Sequence, residues 1–168
     1  MAGRCLIIAN QTLGGEALDE AVRDCTRRGV DEFYVVVPMT PVRHETSTWT
    51  GGFTLDAGGA SPERIRQAVA EDKRRYAAEL DQARDRAQRR LDLMVEKIQA
   101  TGGRAYGEVG VDDPLDATSA VLEREGPFEE IIVSTLPAGI SRWVKWDLAN
   151  RVARLADIPV VTVEAVEE

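Results

Sequence analysis

Hydroxyl, glycine and basic residues gather in one short stretch that directly follows the apolar run Ile131–Val133. Its members are Ser134, Thr135, Gly139, Ser141, Arg142 and Lys145. Hydroxyl groups and flexible glycine backbone donate hydrogen bonds, and cations beside a helix N-terminus attract an anion. The stretch therefore predicts a binding turn for a phosphate or a nucleotide. The same residues also fit a helix that Ser141 merely caps, with Arg142 and Lys145 in solvent.

A second polar segment follows the first apolar run, Leu6–Ala9. Parallel sheets bind ligands outside the carboxyl ends of their strands, at the point where the strand order reverses. If the first strand is central and borders the fourth, this segment faces the turn after Val133 across one crevice. The candidate cofactor-binding residues lie in these two turns and at strand ends: Ala9, Asn10, Gln11, Thr12, Val37, Gly110, Ser134, Thr135, Gly139, Ser141, Arg142 and Lys145.

Five strand-like runs alternate with four helical patterns along the chain. The runs predict strands at Leu6–Ala9, Phe33–Val37, Arg104–Val109, Ile131–Val133 and Pro159–Val163. Helical spacing of apolar residues extends from Ala17 to Cys25, from Ser61 to about Ala100, from Pro114 to Leu122 and from Val144 to Leu155. This alternation predicts a doubly wound α/β/α sandwich around a five-stranded parallel sheet. Ser61 and Asp113 each precede a proline, so both are predicted helix N-caps.

Two segments exceed the ordinary sizes for such a domain. Residues 39–60 form a glycine-, serine- and threonine-rich insertion after the second strand, and residues 61–101 form an unusually long helix. The apolar positions of that helix recur at nearly an eleven-residue period, which keeps one stripe on a straight helix. About forty residues span about 60 Å, roughly twice what the sheet can cover. We therefore expect the helix either to break near Asp72 or to project and pack on a partner.

The last helix carries two tryptophans. A helical wheel turns four apolar residues toward the sheet: Val144, Leu148, Val152 and Leu155. It turns Trp143 and Trp146 away from the sheet, where they would form a sizeable apolar patch in water. We expect the Met39–Ala60 segment or a second subunit to cover them.

Length and charge limit the functional classes. The chain of 168 residues fits one domain, and its formal net charge of −8 opposes binding to nucleic acid and to anionic membranes. No apolar run reaches membrane-spanning length, and the first strand begins too early for a signal peptide, so we expect a cytoplasmic protein. Cys5, Cys25 and His44 are isolated in the sequence, which argues against a metal site and against a nucleophile with a histidine base.

The order of these pieces resembles the universal stress protein family. The resemblance rests on Leu6–Ala9 with its polar loop, the helix start at Gly110–Pro114, the run Ile131–Val133 and the terminal run Ile158–Val163. It implies an adenine nucleotide alpha-hydrolase-like sheet with the strand order 3-2-1-4-5, and homodimers that often pair their fifth strands. In one branch of the family it also implies ATP bound between the first and fourth strands.

The ATP-binding branch carries G-x-x-G followed, after nine residues, by G-S or G-T. Here Ser134 stands at the first glycine and Pro137 at the second, and Asn10 replaces a common aspartate. The final pair aligns with Trp146-Asp147 when Gly139 is matched to the family's intervening glycine. Proline removes a backbone donor, and Asp147 repels a phosphate. The sequence therefore predicts a degenerate site that takes ATP, another adenine nucleotide, a phosphate, or no small ligand.

Three functions remain open from the sequence. The first is a cytosolic stress-protein-like binding or regulatory domain with that degenerate site. The second is a nucleotide-binding enzyme, a slow ATPase, that loses turnover on Arg142→Ala. The third is a structural dimerisation module without a small ligand. A homodimer is expected to form through the fifth strand, at Val160, Val161 and Val163, or through the long helix.

Overall fold

Strands and helices alternate along the whole described chain. A computed structural model describes residues 3–9, 15–39, 61–135 and 142–164, the last range with side chains from Leu148 onward. The elements are β1 (Gly3–Ala9), α1 (Glu16–Arg27), β2 (Val30–Pro38), α2 (Pro62–Ala100), β3 (Arg104–Gly110), α3 (Pro114–Glu125), β4 (Glu130–Thr135), α4 (Arg142–Ala156) and β5 (Val160–Glu164).

The strands form one parallel sheet in the order β3-β2-β1-β4-β5, which confirms the predicted fold class and strand order. Some strands begin earlier than the apolar runs predict. β2 starts at Val30 rather than at Phe33, and its polar residues Asp31 and Glu32 are accommodated because arginines neutralise them. Arg4 pairs with Glu32, and Arg104 pairs with Asp31 at 3.1 Å between Nη2 and Oδ2.

Helices cover both faces of the sheet, which explains why β1 is an unbroken apolar run. Cys5, Ile7 and Ala9 face one core, which contains residues of α1 and α2. Leu6 and Ile8 face the other core, which contains residues of α3 and α4. Consecutive residues of β1 therefore enter opposite cores, and the central strand is fully buried.

The two predicted N-caps are confirmed. The Ser61 hydroxyl accepts a hydrogen bond from the Arg64 amide at 3.4 Å. The Asp113 carboxylate accepts hydrogen bonds from the amides of Leu115 at 2.8 Å and Asp116 at 3.1 Å. Pro114 occupies the first turn of α3, where a missing amide hydrogen costs nothing.

Helix α2 is continuous over 39 residues and does not break at Asp72. Its buried residues begin at Ala83, whereas residues 61–78 are all exposed. The helix begins after the carboxyl end of β2 and ends before β3, so its exposed half projects beyond the carboxyl edge of the sheet. Eleven-residue steps along one stripe connect exposed Ile65 and Tyr76 with buried Ala87 and Ile98. The face that packs on the sheet thus continues past it into solvent.

One predicted position of α4 is wrong. Leu148 and Val152 are buried as expected, but Leu155 is 46% exposed. Ala156 and Ile158 pack against the core in its place, because the buried face follows four-residue steps through positions 148, 152 and 156. The predicted cover for Trp143 and Trp146 involves their side chains and residues 40–60, which lie outside the described residues.

Candidate functional site

The carboxyl ends of β1 and β4 lie side by side at the centre of the sheet. Ala9 stands opposite Ser134 in the parallel register. From β1 the chain continues to β2 on one side, while β4 borders β1 on the other side and leads on to β5. This is the switch point where a doubly wound sheet opens a crevice for ligands. The structure therefore places side by side the two strand ends that precede the predicted turns.

Two hydroxyl residues end β4 at this switch point. Ser134 and Thr135 are both buried, and Thr135 is only 2% exposed. Within the described part of the chain, the Thr135 hydroxyl oxygen has no hydrogen-bond partner. A buried polar atom without a partner costs roughly 1 to 3 kcal/mol. Such an atom beside the crevice is a ready contact for a polar ligand.

Apart from Gly110, the other predicted site residues divide into three groups. Ala9 and Val37 are fully buried in the core, so only their backbone is available to a ligand. Asn10, Gln11, Thr12, Gly139 and Ser141 lie outside the described residues. Arg142 and Lys145 form the first turn of α4, with their backbone described as helical. The N-terminus of that helix follows β4, which is the position expected for an anion site.

Gly110 has a structural reason for being glycine. It ends β3, and both β2 and β1 separate it from β4. A Cβ atom added to Gly110 would lie 2.6 Å from the Cβ atom of Ala117 in α3. The glycine lets α3 approach the sheet, which accounts for this residue without a ligand.

A polar network that the sequence analysis did not single out occupies the α3 side of β2 and β3. The Tyr34 hydroxyl donates to the Glu108 carboxylate at 2.8 Å, and Arg124 also bonds that carboxylate. Burial, with Glu108 adding to it, raises the pKa of Tyr34 to about 12. The hydrogen bond from Arg124 holds the pKa of Glu108 below its ordinary value. The network is internally paired, so it stabilises the sheet rather than offering a free catalytic group.

The rings of Tyr34 and Tyr106 meet edge to face, with centroids 5.3 Å apart. Tyr106 also donates to Glu32, which Arg4 binds as well. Alternate polar residues in β2 and β3 are the signal for this network, because side chains two apart share one face of a strand. The two strands are far apart in sequence, so only their pairing reveals the contact.

The two cysteines are buried on the opposite face, near the amino end of the sheet. Glu130 accepts hydrogen bonds from Arg28 at 2.7 Å and from the Cys25 thiol at 3.3 Å. A hydrogen bond to Cys25, together with burial, raises the pKa of the Cys5 thiol. Cys5 is therefore a protonated core residue at neutral pH. Among the described residues, no group of three or more histidine, cysteine, aspartate or glutamate side chains could hold a metal ion.

Among the helices that the structure describes, none combines the length and the apolar character needed to cross a membrane.

No protein family model and no curated protein matches the sequence. Solved structures do match over nearly the whole chain. The universal stress protein UspA from Lactobacillus plantarum has a TM-score of 0.59 at 11% identity, over 98% of this chain and 99% of that one. A hypothetical protein, PH0823, has a TM-score of 0.52 at 18% identity, over 100% of this chain and 99% of the other. A universal stress protein in complex with cAMP has a TM-score of 0.49 at 16% identity, over 99% of this chain and 100% of that one. The match to UspA, together with the strand order, shows that the chain has the universal stress protein fold.

Proposed function

We propose that the protein is a cytoplasmic, divergent member of the universal stress protein family that works as a binding or regulatory domain. Its ligand is an adenine nucleotide or another phosphate-bearing anion in the crevice between β1 and β4. The observation that carries the proposal is the buried Thr135 hydroxyl, which has no partner among the described residues and lies at the switch point. The order of the strands supports the same location.

The chemistry proposed for this site differs from a glycine-rich phosphate turn. Glycines allow backbone amides to approach a phosphate closely. Here Ser134 and Thr135 end β4, so hydroxyl groups take over part of the hydrogen bonding. Arg142 and Lys145 add positive charge at the start of α4, in a chain whose formal net charge is −8. A local positive charge is needed in such a protein to attract an anion at all.

Isothermal calorimetry and thermal shift with ATP, ADP, AMP, cyclic AMP and inorganic phosphate test this proposal. At least one of these ligands should raise the melting temperature, because a ligand that binds only the folded state stabilises it. Thr135→Val should weaken its binding by about tenfold, equivalent to about 1.4 kcal/mol. Arg142→Ala should weaken binding of the same ligand by more than Thr135→Val does. No effect of any ligand on the native protein would contradict the proposal.

Thr118→Val is the matched control. Thr118 is also buried, but its hydroxyl donates to the Pro114 carbonyl at 2.7 Å within α3. The substitution is chemically identical and lies away from the crevice, so ligand affinity should not change. Equal loss of affinity in the two variants would indicate a general effect on the fold rather than a contact of Thr135 with the ligand.

We also propose a homodimer formed through β5. This strand is at the edge of the sheet and pairs only with β4 among the described residues. Val161 is 39% exposed on it, while Val160 and Val163 pack against the two cores. An exposed apolar edge with open backbone groups favours pairing with the same strand of a second copy.

A further inference from the structure

A groove of about 500 Å³ follows the outer edge of β3. We call it the β3 edge groove; it is lined by Met39, by Arg84, Gln88 and Leu91 of α2, and by residues 107–111. Successive side chains of a strand point to opposite faces of a sheet. A groove that touches five consecutive residues therefore runs along the edge of the strand rather than across one face.

The backbone groups that face this groove can be assigned from two hydrogen bonds. The Gln99 side chain donates to the Ala105 carbonyl at 3.0 Å. The Met39 amide, just after β2, donates to the carbonyls of Gly110, the last residue of β3, and of Val111, each at 3.2 Å. The Ala105 carbonyl therefore points away from β2, and the Gly110 carbonyl points toward the end of β2. The amide and carbonyl groups of successive strand residues point to alternate sides. Those of Gly107 and Val109 therefore also point away from β2. In the described part of the chain no strand pairs with this edge, so their amide and carbonyl groups are open to a partner strand.

The side chains around the groove indicate which peptide it fits. Arg84 is an exposed cation in the wall of the groove. The Gln88 side-chain amide donates a hydrogen bond to the Asp92 carboxylate at 2.9 Å. Val111 is an exposed apolar residue at the end of the groove, next to Met39. Glu108 also lines the groove, but its carboxylate is bonded by Tyr34 and Arg124. An acidic side chain therefore complements Arg84 in the wall, and an apolar side chain complements the end near the carboxyl edge of the sheet. The four strand residues that line the groove, 107–110, span about 13 Å, the length of a short extended segment.

We propose that the β3 edge groove binds an extended acidic peptide of a partner protein by strand addition. The peptide becomes a sixth strand, with its backbone bonded to Gly107 and Val109 and its acidic side chain against Arg84. Backbone bonds give affinity in this mode of recognition, and the flanking side chains give specificity. Because β2 and β1 separate β3 from β4, the groove is distinct from the nucleotide or anion site proposed between β1 and β4, and Gly110 is the one candidate cofactor-binding residue among the described residues that line it.

Selection from a library of short random peptides against the full chain provides the probe. Enriched peptides should alternate polar and apolar residues and carry aspartate or glutamate. Arg84→Glu should weaken the selected peptide by about tenfold, and replacing its acid by lysine should restore the affinity for that variant. Arg89→Glu is the control, since Arg89 is exposed on the side of α2 away from the groove. Equal effects of the two charge reversals would overturn the proposal, as would enrichment of no peptide.

A backbone test separates strand addition from simple charge attraction. Val109→Pro removes the outward amide, and edge strands tolerate proline on their solvent side. This variant should keep its circular dichroism spectrum and lose peptide binding. N-methylation of the peptide tests the same hydrogen bonds without altering the protein. Methyl groups on the alternate amides that face β3 should abolish binding, and methyl groups on the amides that face away should not. Tolerance of every N-methyl group overturns the proposal. A native dimer that Val109→Pro dissociates would assign the groove to a second copy, and it overturns the proposal too.

Discussion

Thr135 shows how a single buried atom can connect stability with binding. Its hydroxyl lies at the end of β4, and it has no hydrogen-bond partner among the described residues. Ser134, its neighbour on the opposite face, is equally buried. A polar group that is removed from water without a partner destabilises the folded state unless a ligand satisfies it. The proposed site would thus carry a cost in the free protein that a ligand would remove.

We predict that Thr135→Val raises the free energy of unfolding of the ligand-free protein by about 1 kcal/mol, because valine has a similar shape and no hydroxyl. Urea denaturation of both proteins measures the difference. Thr118→Val should instead lower stability by about 1 kcal/mol, since its hydroxyl is bonded to Pro114. A loss in both variants would show that the Thr135 hydroxyl already has a partner in the free protein.

Tyr34 provides a second prediction at this scale. Its pKa is raised from 10.0 to about 12 by burial, with a contribution from Glu108. A group whose pKa is higher in the folded state contributes its full stability below the unfolded value and loses it as pH rises. Stability should therefore fall between about pH 10 and pH 12, by on the order of 2 kcal/mol from this residue.

Ultraviolet titration of phenolate absorbance tests this assignment. The difference between the native protein and Tyr34→Phe should be one phenol that titrates near pH 12. The variant should also show a smaller loss of stability in strong alkali. A difference curve centred near the ordinary value of 10.0 would show that Tyr34 is not shielded by the sheet and Glu108.

Helix α2 contains two halves with the same pattern and different surroundings. Ile65 and Ile98 lie on one stripe of the helix, but Ile65 is 50% exposed and Ile98 is 4% exposed. Periodicity alone predicts one apolar face over the whole helix. The extent of the sheet decides which part of that face is buried, and packing on β2 and β3 begins at Ala83.

We predict that Ile98→Ala lowers the free energy of unfolding by roughly 2 to 5 kcal/mol, because it leaves a cavity in the core. Ile65→Ala should change it by no more than about 0.5 kcal/mol, as for other surface positions. Both variants delete the same atoms from the same helix, so each controls for the other in chemical denaturation. A large loss from Ile65→Ala in a monomer would show that another segment of the chain covers the projecting half.

Local patterns predict the elements of this fold better than they predict its contacts. The runs Leu6–Ala9 and Ile131–Val133 identify central strands because only doubly covered strands are continuously apolar. Leu155 was misassigned because a wheel gives the spacing of a face and not the rotation that packing selects. The candidate site was located through Ser134 and Thr135, but their burial depends on elements from the whole chain. The contact of Tyr34 with Glu108 depends on the register of β2 and β3, which no local pattern contains.

For the whole molecule, β5 is the edge that we expect to form a dimer. Val161→Lys should convert the dimer to a monomer at micromolar concentration, because it places a charge on the pairing edge. Analytical ultracentrifugation measures the change. Leu93→Lys distinguishes this interface from one on the long helix, since Leu93 is exposed on α2, which packs on β2 and β3; this variant should remain a dimer. A native protein that sediments as a monomer would refute the dimer.

The projecting half of α2 also has a consequence for regulation. The apolar stripe of α2 packs on the sheet and then continues past the carboxyl edge of the sheet. The exposed part of this stripe therefore lies next to that edge. A partner seated on that stripe adjoins the ends of the strands. If a bound ligand changes the affinity of such a partner by some factor, the partner must change the affinity of the ligand by the same factor. A partner on the projecting half of α2 would therefore lie next to the strand ends, where such a coupling would appear as reciprocal changes in the two affinities.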